Sequence, residues 1–231
     1  VDGVSRVQKM QMATQTGDNV NVTAIYGNFD DAQSGVKQIF SDKDAVEYLD
    51  GKGYFFSSAN SINWGRLAPQ IVYYVSAYCD LLNSGEIALG DSINVCVPTG
   101  NFGNIFAAYL AKLMGLPLGK LICASNQNNI LTDFLNTGRY DRNRQFHCTM
   151  SPSMDILISS NLERLLALTA GKEATALYIA DLAQKGAYEV SGEVKEKIDE
   201  NFRGYFADEG ETAATIKKYF TEYGYLADTH T

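Results

Sequence analysis

INVCVPTGNFGNIFAAYLAKLMGLPLGKLICA, residues 93–124, is the stretch that decides the fold class of this chain. Residues 93–97 and 119–124 are rich in β-branched and aliphatic side chains, as in buried strands. Residues 104–114 between them have the apolar spacing of a helix, which Gly115 closes. Strand, helix and strand in this order favour a parallel sheet covered by helices, so we expect an α/β fold.

A glycine-containing loop, Thr99-Gly100-Asn101-Phe102-Gly103-Asn104, joins the first strand to the helix. Backbone N–H groups at a helix start point outward, and the helix dipole adds about half a positive charge there. We therefore expect the loop to hold an anion, either a phosphate or a carboxylate. It lacks the Lys-Ser/Thr pair of a triphosphate-binding loop, and G-x-x-G is too short for a dinucleotide fingerprint. From these residues alone, a tight turn explains the two glycines equally well.

Apolar spacing predicts mainly helices in the rest of the chain, together with two short strands. The strands are expected at 20–24 and 54–56. The expected helices follow Gly3 and cover residues 32–40, 43–49, 64–82, 173–185, 191–201 and 211–223. Pro69 falls near the start of the 64–82 helix, where a missing N–H group costs least. Ser160-Asn161-Leu162-Glu163 has the pattern of a capping box.

Composition excludes some classes of partner. The 231 residues are 45% apolar, which is enough for a sizeable core, and the net charge is −8. A negative field repels nucleic acid and anionic lipid, so an anionic ligand must be held locally. The sequence shows no apolar run near the ~20 residues of a membrane helix and no signal pattern. It begins at Val1 without Met, and we interpret it as an internal piece of a longer, soluble cytoplasmic protein.

Four cysteines, Cys79, Cys96, Cys123 and Cys148, are spread along the chain without a C-x-x-C pair. Two histidines, His147 and His230, complete the set of soft ligands. This spacing favours neither a zinc site nor a disulfide framework, so we expect no metal and predict buried free thiols in a reducing compartment. His147 follows Phe146, and we interpret it as a half-buried strand residue rather than a general base.

Several motifs together resemble the threonine synthase family. The first is Asn60-Ser61-Ile62-Asn63-Trp64-Gly65-Arg66, and it is followed by Pro69-Gln70-Ile71-Val72-Tyr73-Tyr74 and by Val97-Pro98 with the loop described above. Further matches are residues 108–119, Ala124 to Leu131, Ser151-Pro152-Ser153-Met154-Asp155-Ile156 and Asp228-Thr229-His230-Thr231. The matched segments keep the family's order and cover nearly the whole chain.

The resemblance implies that this chain is a part of a fold-type-II pyridoxal-phosphate enzyme. The fold of such an enzyme is similar to that of the β subunit of tryptophan synthase. Members of the family are lyases of threonine biosynthesis that convert O-phosphohomoserine and water to threonine and phosphate. Their cofactor acts as an electron sink for carbanions. The implied domains are the end of a smaller α/β domain at residues 1–56 and a larger cofactor-binding domain at 57–231.

The resemblance also assigns binding residues. It implies that Gly100, Asn101, Phe102, Gly103 and Asn104 bind the cofactor phosphate, and that Thr231 meets the pyridine nitrogen. For the substrate phosphate it implies Asn60, Ser61, Asn63 and Arg66, which sit at another helix start. The plainer alternatives are an ordinary N-cap beside an exposed arginine, and a frayed terminus at Thr231.

The chain departs from the family at the Schiff-base lysine. That residue is expected upstream of Val1, in a Phe-Lys-Asp segment, and no lysine of this sequence stands in such a segment. The same amine normally moves protons, so we assign no catalytic residue to this chain and predict that it is inactive alone.

Three other functions stay open. A phospholyase of the same family would release phosphate without making threonine, and a binding or regulatory module would keep the fold without catalysis. A phosphosugar or nucleotide binder without pyridoxal phosphate explains the loop but none of the other motifs. The oligomeric state is left open.

Overall fold

The computed structural model of the chain describes residues 6–27, 29–60 and 62–231. The chain divides into two compact units, Val1–Ser58 and Ala59–Thr231. Their interpretation as the end of a smaller domain and a cofactor-binding domain stays a prediction.

The described part of the first unit contains three helices. Its helices are α1 (Arg6–Ala13), α2 (Phe29–Ser41) and α3 (Lys43–Asp50). The Asp42 side chain caps α3 by accepting a hydrogen bond from the N–H of Ala45 at 3.0 Å. The rings of Phe40 and Phe56 stack with centroids 5.1 Å apart.

Both strands predicted in this unit are wrong. Within residues 6–27 and 29–60, neither 20–24 nor 54–56 forms a strand. The alternation at Val20 and Val22 buries neither side chain. A strand needs a partner for its N–H and C=O groups, and the Tyr54 N–H instead bonds back to the C=O of Leu49 at 3.0 Å.

The second unit contains the predicted parallel sheet. Its strands are β1 (Ile93–Pro98), β2 (Leu118–Ser125), β3 (Arg139–Asp141), β4 (Ala187–Glu189) and β5 (Phe202–Phe206). The first, second and fifth strands form a parallel sheet in the order β1-β2-β5, and β3 pairs with β4 in an antiparallel ribbon. Its helices are α4 (Trp64–Leu67), α5 (Ile71–Asn83), α6 (Gly103–Leu113), α7 (Ile130–Thr137), α8 (Leu162–Thr169), α9 (Lys172–Lys185), α10 (Gly192–Asn201) and α11 (Glu209–Tyr223).

The α/β prediction is confirmed, because α6, α7 and α10 pack against β2 of a parallel sheet. The core between them includes Phe102, Ile105, Leu121, Phe134 and Phe202, all fully buried. The predicted 64–82 helix is divided by a 3-10 turn, Ala68–Gln70, since Pro69 supplies no N–H group for an α-helical bond.

Two local predictions are corrected. No side chain caps α8, so the capping box predicted at 160–163 is wrong, because Asn161 uses its amide for contacts described below. The capping box of this unit lies at Asp208 and Glu211, at the start of α11. Buried thiols were predicted throughout, but Cys123 alone is buried; the other three cysteines are exposed, Cys96 because β1 is an edge strand.

Candidate functional site

The carboxyl ends of β1 and β2 meet at one edge of the parallel sheet. β1 ends at Pro98 and leads through residues 99–102 into α6, while β2 ends at Ser125 and leads into Asn126. In open parallel sheets this edge is where ligands bind, because the connecting loops open there into a crevice. The predicted anion loop therefore lies where the fold favours a site.

Phe102 holds the loop in a strained conformation. Its φ is +64°, and it is the one non-glycine residue with positive φ among those that the structure describes. The side chain is fully buried, and its ring lies 5.7 Å from the ring of Phe202. Left-handed backbone costs about 1–2 kcal/mol for such a residue, so burial of the ring must stabilise the turn.

Gly100 is required by a close approach of backbone. A Cβ atom at this position would lie 2.5 Å from the carbonyl oxygen of Ser153 and 3.2 Å from the Cα of Met154. The 3-10 turn Pro152–Met154 therefore forms the wall opposite the loop. A larger residue at position 100 would push these two walls apart.

A polar network holds that wall in place. The carboxylate of Asp155 accepts hydrogen bonds from the amide of Asn126 at 2.8 Å and from the hydroxyl of Thr149 at 2.7 Å. Its other oxygen accepts the N–H of Thr149, and Asn126 also donates to the hydroxyl of Ser151 at 3.0 Å. Asn126 and Ser151 are buried, so these bonds are shielded from water.

Asn161 and Arg164 hold the loop from the other side. The buried amide of Asn161 donates to the carbonyl of Asn101 at 3.0 Å and accepts from Nε of Arg164 at 3.0 Å. Arg164 also donates to the carbonyl of Ile62 at 2.6 Å, and its guanidinium lies 5.7 Å from the ring of Trp64. The loop and the segment around Ile62 are thereby tied to one helix start.

The start of α6 is fixed by Asn104 and Tyr74. The Asn104 amide donates to the carbonyl of Pro98 at 2.7 Å, and the Tyr74 hydroxyl donates to the carbonyl of Asn104 at 2.8 Å. Burial raises the pKa of Tyr74 to about 12, so this hydroxyl keeps its proton across the physiological range.

These walls enclose a cleft of about 340 Å³. It is lined by Arg66, Gln70, Pro98, Gly100, Asn101, Gly103, Asn104, Ser153, Met154 and His230. Among the described residues, Arg66 and His230 are the only ones lining it that can carry charge. The exposed Arg66 donates to the carbonyl of Ala59. A cleft with an arginine and the positive end of α6 suits an anion.

A second cavity of about 330 Å³ adjoins the first and shares Pro98, Met154 and His230 with it. Its lining includes Thr231 and the end of β2, and Tyr219 and Tyr225 give it aromatic walls. Together the two cavities present a polar, anion-compatible end and a more apolar end, which suits a ligand with a phosphate on an aromatic ring.

The cleft also leaves polar capacity for a ligand. Oδ1 of Asn101 is buried and has no hydrogen-bond partner among the described residues. Buried polar atoms are nearly always paired, and an amide oxygen only accepts, so water or another donor rather than an anion would satisfy this atom. The close fit at Gly100 is consistent with a small group seated on the loop.

The predicted site residues divide into three groups. Arg66 and the loop residues Gly100, Asn101, Gly103 and Asn104 line one cleft, while Thr231 lines the adjoining cavity. The Phe102 ring points into the core, so only its backbone can serve the loop. Asn63 caps α4 by accepting the N–H of Gly65 at 2.9 Å, Asn60 accepts the N–H of Ile62 at 3.3 Å, and Ser61 lies outside the described residues.

Five lining residues were not assigned from the sequence, namely Gln70, Pro98, Ser153, Met154 and His230. Each stands inside a motif that carried the family resemblance, which was the available signal. His147 is half-buried as predicted but lies in a loop rather than a strand, since its N–H and C=O bond to the side chain of Asn128.

Within the part of the chain that the structure describes, no group of three or more His, Cys, Asp or Glu side chains is placed to hold a metal ion. None of the helices in that part of the chain has the length and apolar character needed to span a membrane.

Known proteins resemble the whole chain. It is 45% identical to human threonine synthase-like 1, with 100% of this chain and 32% of that protein aligned, and 42% identical to threonine synthase of Pseudomonas aeruginosa, with 99% and 47% aligned. The PLP-bound threonine synthase of Brucella melitensis superposes with a TM-score of 0.83 at 42% identity, and the yeast enzyme with 0.80 at 36%. Each of the two superpositions covers 98% of this chain, which corresponds to 47% of the Brucella chain and 45% of the yeast chain. No family model matches. The chain thus spans between a third and a half of the length of these relatives.

Proposed function

Because this chain belongs to the threonine synthase family and 99% of its own length aligns with a member, we propose that its cleft holds the phosphate of pyridoxal phosphate. The longer protein is then a lyase that converts O-phosphohomoserine and water to threonine and phosphate, in the cytoplasm. The observation that carries the proposal is the convergence of Arg66 and the 100–104 loop on one cleft, next to the cavity of Thr231.

Each group in the two cavities has a separate task in this proposal. Backbone N–H groups of Gly100 and Gly103 at the start of α6 bind the cofactor phosphate, and Asn104 fixes their direction. The Thr231 hydroxyl, which lines the adjoining cavity, would hold the pyridine nitrogen of a bound cofactor by a hydrogen bond from a neutral group. When bound, the cofactor supplies an electron sink for carbanions.

Arg66 supplies the charge for the substrate phosphate. Its guanidinium lines the same cleft as the loop, and an arginine binds phosphate oxygens in bidentate fashion. We assign Asn60, Ser61 and Asn63 to the same phosphate, Asn63 through the helix start that it caps.

The chain alone lacks the amine for covalent attachment of the cofactor. Among the described residues, no lysine lines either cavity. We therefore expect the purified chain to release no phosphate from O-phosphohomoserine when pyridoxal phosphate is added. Cofactor-dependent release above the rate of a heat-denatured sample would contradict this expectation.

Binding is tested with pyridoxine 5′-phosphate, whose alcohol group cannot react with surface lysines as the aldehyde does. We expect it to move the amide NMR resonances of residues 100–104, and pyridoxine without phosphate to leave them unchanged. In the absence of substrate, the phosphate of this ligand is the anion nearest Arg66 in the cleft, so Arg66→Gln should weaken binding about tenfold, since a charge-assisted bond contributes roughly 1.5–3 kcal/mol. The matched control is Arg139→Gln, which removes an exposed arginine paired with Asp141. Equal binding of both ligands would refute the proposal.

A second candidate is a phospholyase of the same family, because the name of one relative, threonine synthase-like 1, leaves the reaction of that relative open. It uses the same loop and cofactor. The product formed by the longer protein separates the two functions: threonine in one case, a keto acid with ammonia in the other.

A further inference from the structure

His230 stands at the junction of the two cavities. It lines both of them, in the company of Pro98 and Met154, and its side chain is 32% exposed. Histidine is the side chain that changes its charge near neutral pH. The proposed function gives this residue no task, although it contacts the loop wall at Ser153.

The hydrogen bonds of His230 fit the tautomer with its proton on Nδ1. The backbone N–H of Ser153 points at Nε2 at 3.2 Å, and Nδ1 lies 2.9 Å from a carboxylate oxygen of Asp228. A backbone N–H can only donate, so Nε2 must present its lone pair and Nδ1 must carry the proton. The N–H groups of His230 hold the pKa of the Asp228 carboxyl below its usual range, so that carboxylate stays ionised.

A second proton on His230 changes this arrangement. An Nε2–H would face the Ser153 N–H, and two donors cannot bond to each other. The Ser153 N–H, which belongs to the wall against Gly100 and is exposed, would then bond to water or to another acceptor. An anion on the 100–104 loop supplies one, because Ser153 and His230 both line the cleft beside that loop.

The charged and titratable groups around His230 give the sign of the effect. On the cleft side these are Arg66 and the positive end of α6, and on the other side Asp228 with the tyrosines Tyr219 and Tyr225. Asp155, which follows the turn of Ser153, has its carboxylate engaged by the network already described. Asp228 favours a positive imidazole whether or not an anion is bound, since its carboxylate lies 2.9 Å from Nδ1. Arg66 and the helix start oppose a positive imidazole, and a bound dianion offsets that opposition.

We propose, on the basis of the function proposed above, that His230 is a positioning residue that couples proton uptake to anion binding. In the free cleft it is a neutral acceptor that holds the Ser153 N–H. When a phosphate monoester dianion binds, His230 takes one proton from solvent, and its Nε2–H and the Ser153 N–H both donate to the anion. The cleft thereby favours dianions over neutral and singly charged ligands.

The test follows the two histidine side chains by NMR as a function of pH. The sequence has two histidines, and His147 lines neither cavity, so it is an internal control. The probe is inorganic sulfate, which stays a dianion throughout, with chloride at equal ionic strength as the reference. We expect sulfate to raise the titration midpoint of His230 by about one pH unit and to leave that of His147 unchanged. By linkage, sulfate should bind about tenfold more tightly below the midpoint than above it.

The variant His230→Gln separates this coupling from a purely structural role. Its side-chain oxygen can still accept the Ser153 N–H but cannot gain a proton. We expect it to keep the wild-type sulfate affinity at high pH and to lose the increase at low pH. A wild-type pH profile in this variant would overturn the inference.

The outcomes also separate this inference from the proposed function. If sulfate moves the amide resonances of residues 100–104 while the His230 midpoint stays fixed, the coupling is wrong and the phosphate cradle stands. If neither sulfate nor pyridoxine 5′-phosphate moves those resonances at any pH, both proposals are wrong.

Discussion

At the scale of single residues, Phe102 separates what a motif indicates from what a structure shows. The sequence placed it among phosphate-binding residues, since it stands between Asn101 and Gly103. In the structure its ring is core, and its backbone makes the left-handed turn. A sequence pattern reports that a residue belongs to a loop, but backbone strain and side-chain direction depend on the partner, here Phe202, which is 100 positions away.

At position 102, a glycine variant should be more stable than an alanine variant, which reverses the usual order of the two substitutions. Phe102→Ala should cost roughly 3–5 kcal/mol of unfolding free energy through the lost ring. Phe102→Gly should cost about 1 kcal/mol less, because glycine adopts positive φ without strain. Urea unfolding measures both. Phe134, which is fully buried in the right-handed helix α7, is the control, and there glycine should be worse than alanine. The same order at both sites would show that position 102 is not strained.

Gly100 should tolerate no side chain. In Gly100→Ala the new methyl group would meet the Ser153 carbonyl, and overpacking of this kind costs roughly 1–3 kcal/mol. Pyridoxine 5′-phosphate binding should fall as well, because the wall and the loop separate. Gly192→Ala is the matched control, since a Cβ there meets nothing within 4 Å and alanine favours the helix. Equal stability of the two variants would contradict the close approach.

At the scale of elements, the sequence predicted what depends on local periodicity. The β1-α6-β2 unit was predicted because its apolar spacing, proline and glycines all lie within a few residues of each other. β5 was missed because its pairing with β2 joins Leu121 to Phe202, and no local signal marks such a partner. The cleft was predicted in part for the same reason: the loop is local, whereas Ser153 and His230 reach it from distant parts of the chain.

Asn161 shows how a tertiary contact takes precedence over a local one. It was predicted within a capping box, but its amide holds the Asn101 carbonyl instead. Asn161→Ala should cost roughly 1–3 kcal/mol, since it leaves the part-buried carbonyl of Asn101 without this hydrogen bond, and should weaken pyridoxine 5′-phosphate binding. Asn201→Ala, which loses a bond only to the Lys197 carbonyl within its own helix, should change neither by much. A drop in stability without any change in binding would show that Asn161 does not position the loop.

At the scale of the whole molecule, burial of weak acids predicts sensitivity to alkali. Burial raises the pKa of Cys123 from 9.0 to about 12 and that of Tyr74 from 10.0 to about 12. Burial also raises the pKa of Tyr188 well above its ordinary value. These groups bind protons more tightly in the folded state. Their contribution to stability is complete below pH 9 and is lost as the pH rises toward 12.

The free energy of unfolding should therefore fall steadily from about pH 9 to pH 12. Tyr74→Phe should flatten this decline between pH 10 and 12, because phenylalanine has no proton to lose and the contribution of Tyr74 to the decline disappears. Tyr54→Phe is the control, since Tyr54 is 67% exposed. Urea denaturation in a series of buffers provides the measurement. An identical alkaline slope in wild type and Tyr74→Phe would mean that Tyr74 ionises freely in the folded protein.

The four thiols report separately on surface and core, which the cysteine spacing could not predict. Three of the thiols are exposed and should react with an aromatic disulfide reagent in the folded protein: Cys79, Cys96 and Cys148. Cys96 should react more slowly than the other two, because partial burial raises the pKa of its thiol. Cys123 lies in the central strand of the sheet and should react only when the molecule unfolds. In the folded protein the reagent cannot reach the buried thiol, and its raised pKa leaves little of the reactive thiolate. The slow phase should therefore accelerate with urea in parallel with the unfolding transition, and Cys123→Ala should remove that phase alone. A fourth thiol that reacts as fast as the others in native buffer would show that the sheet opens locally, and the cleft built on its edge would then not be a preformed site.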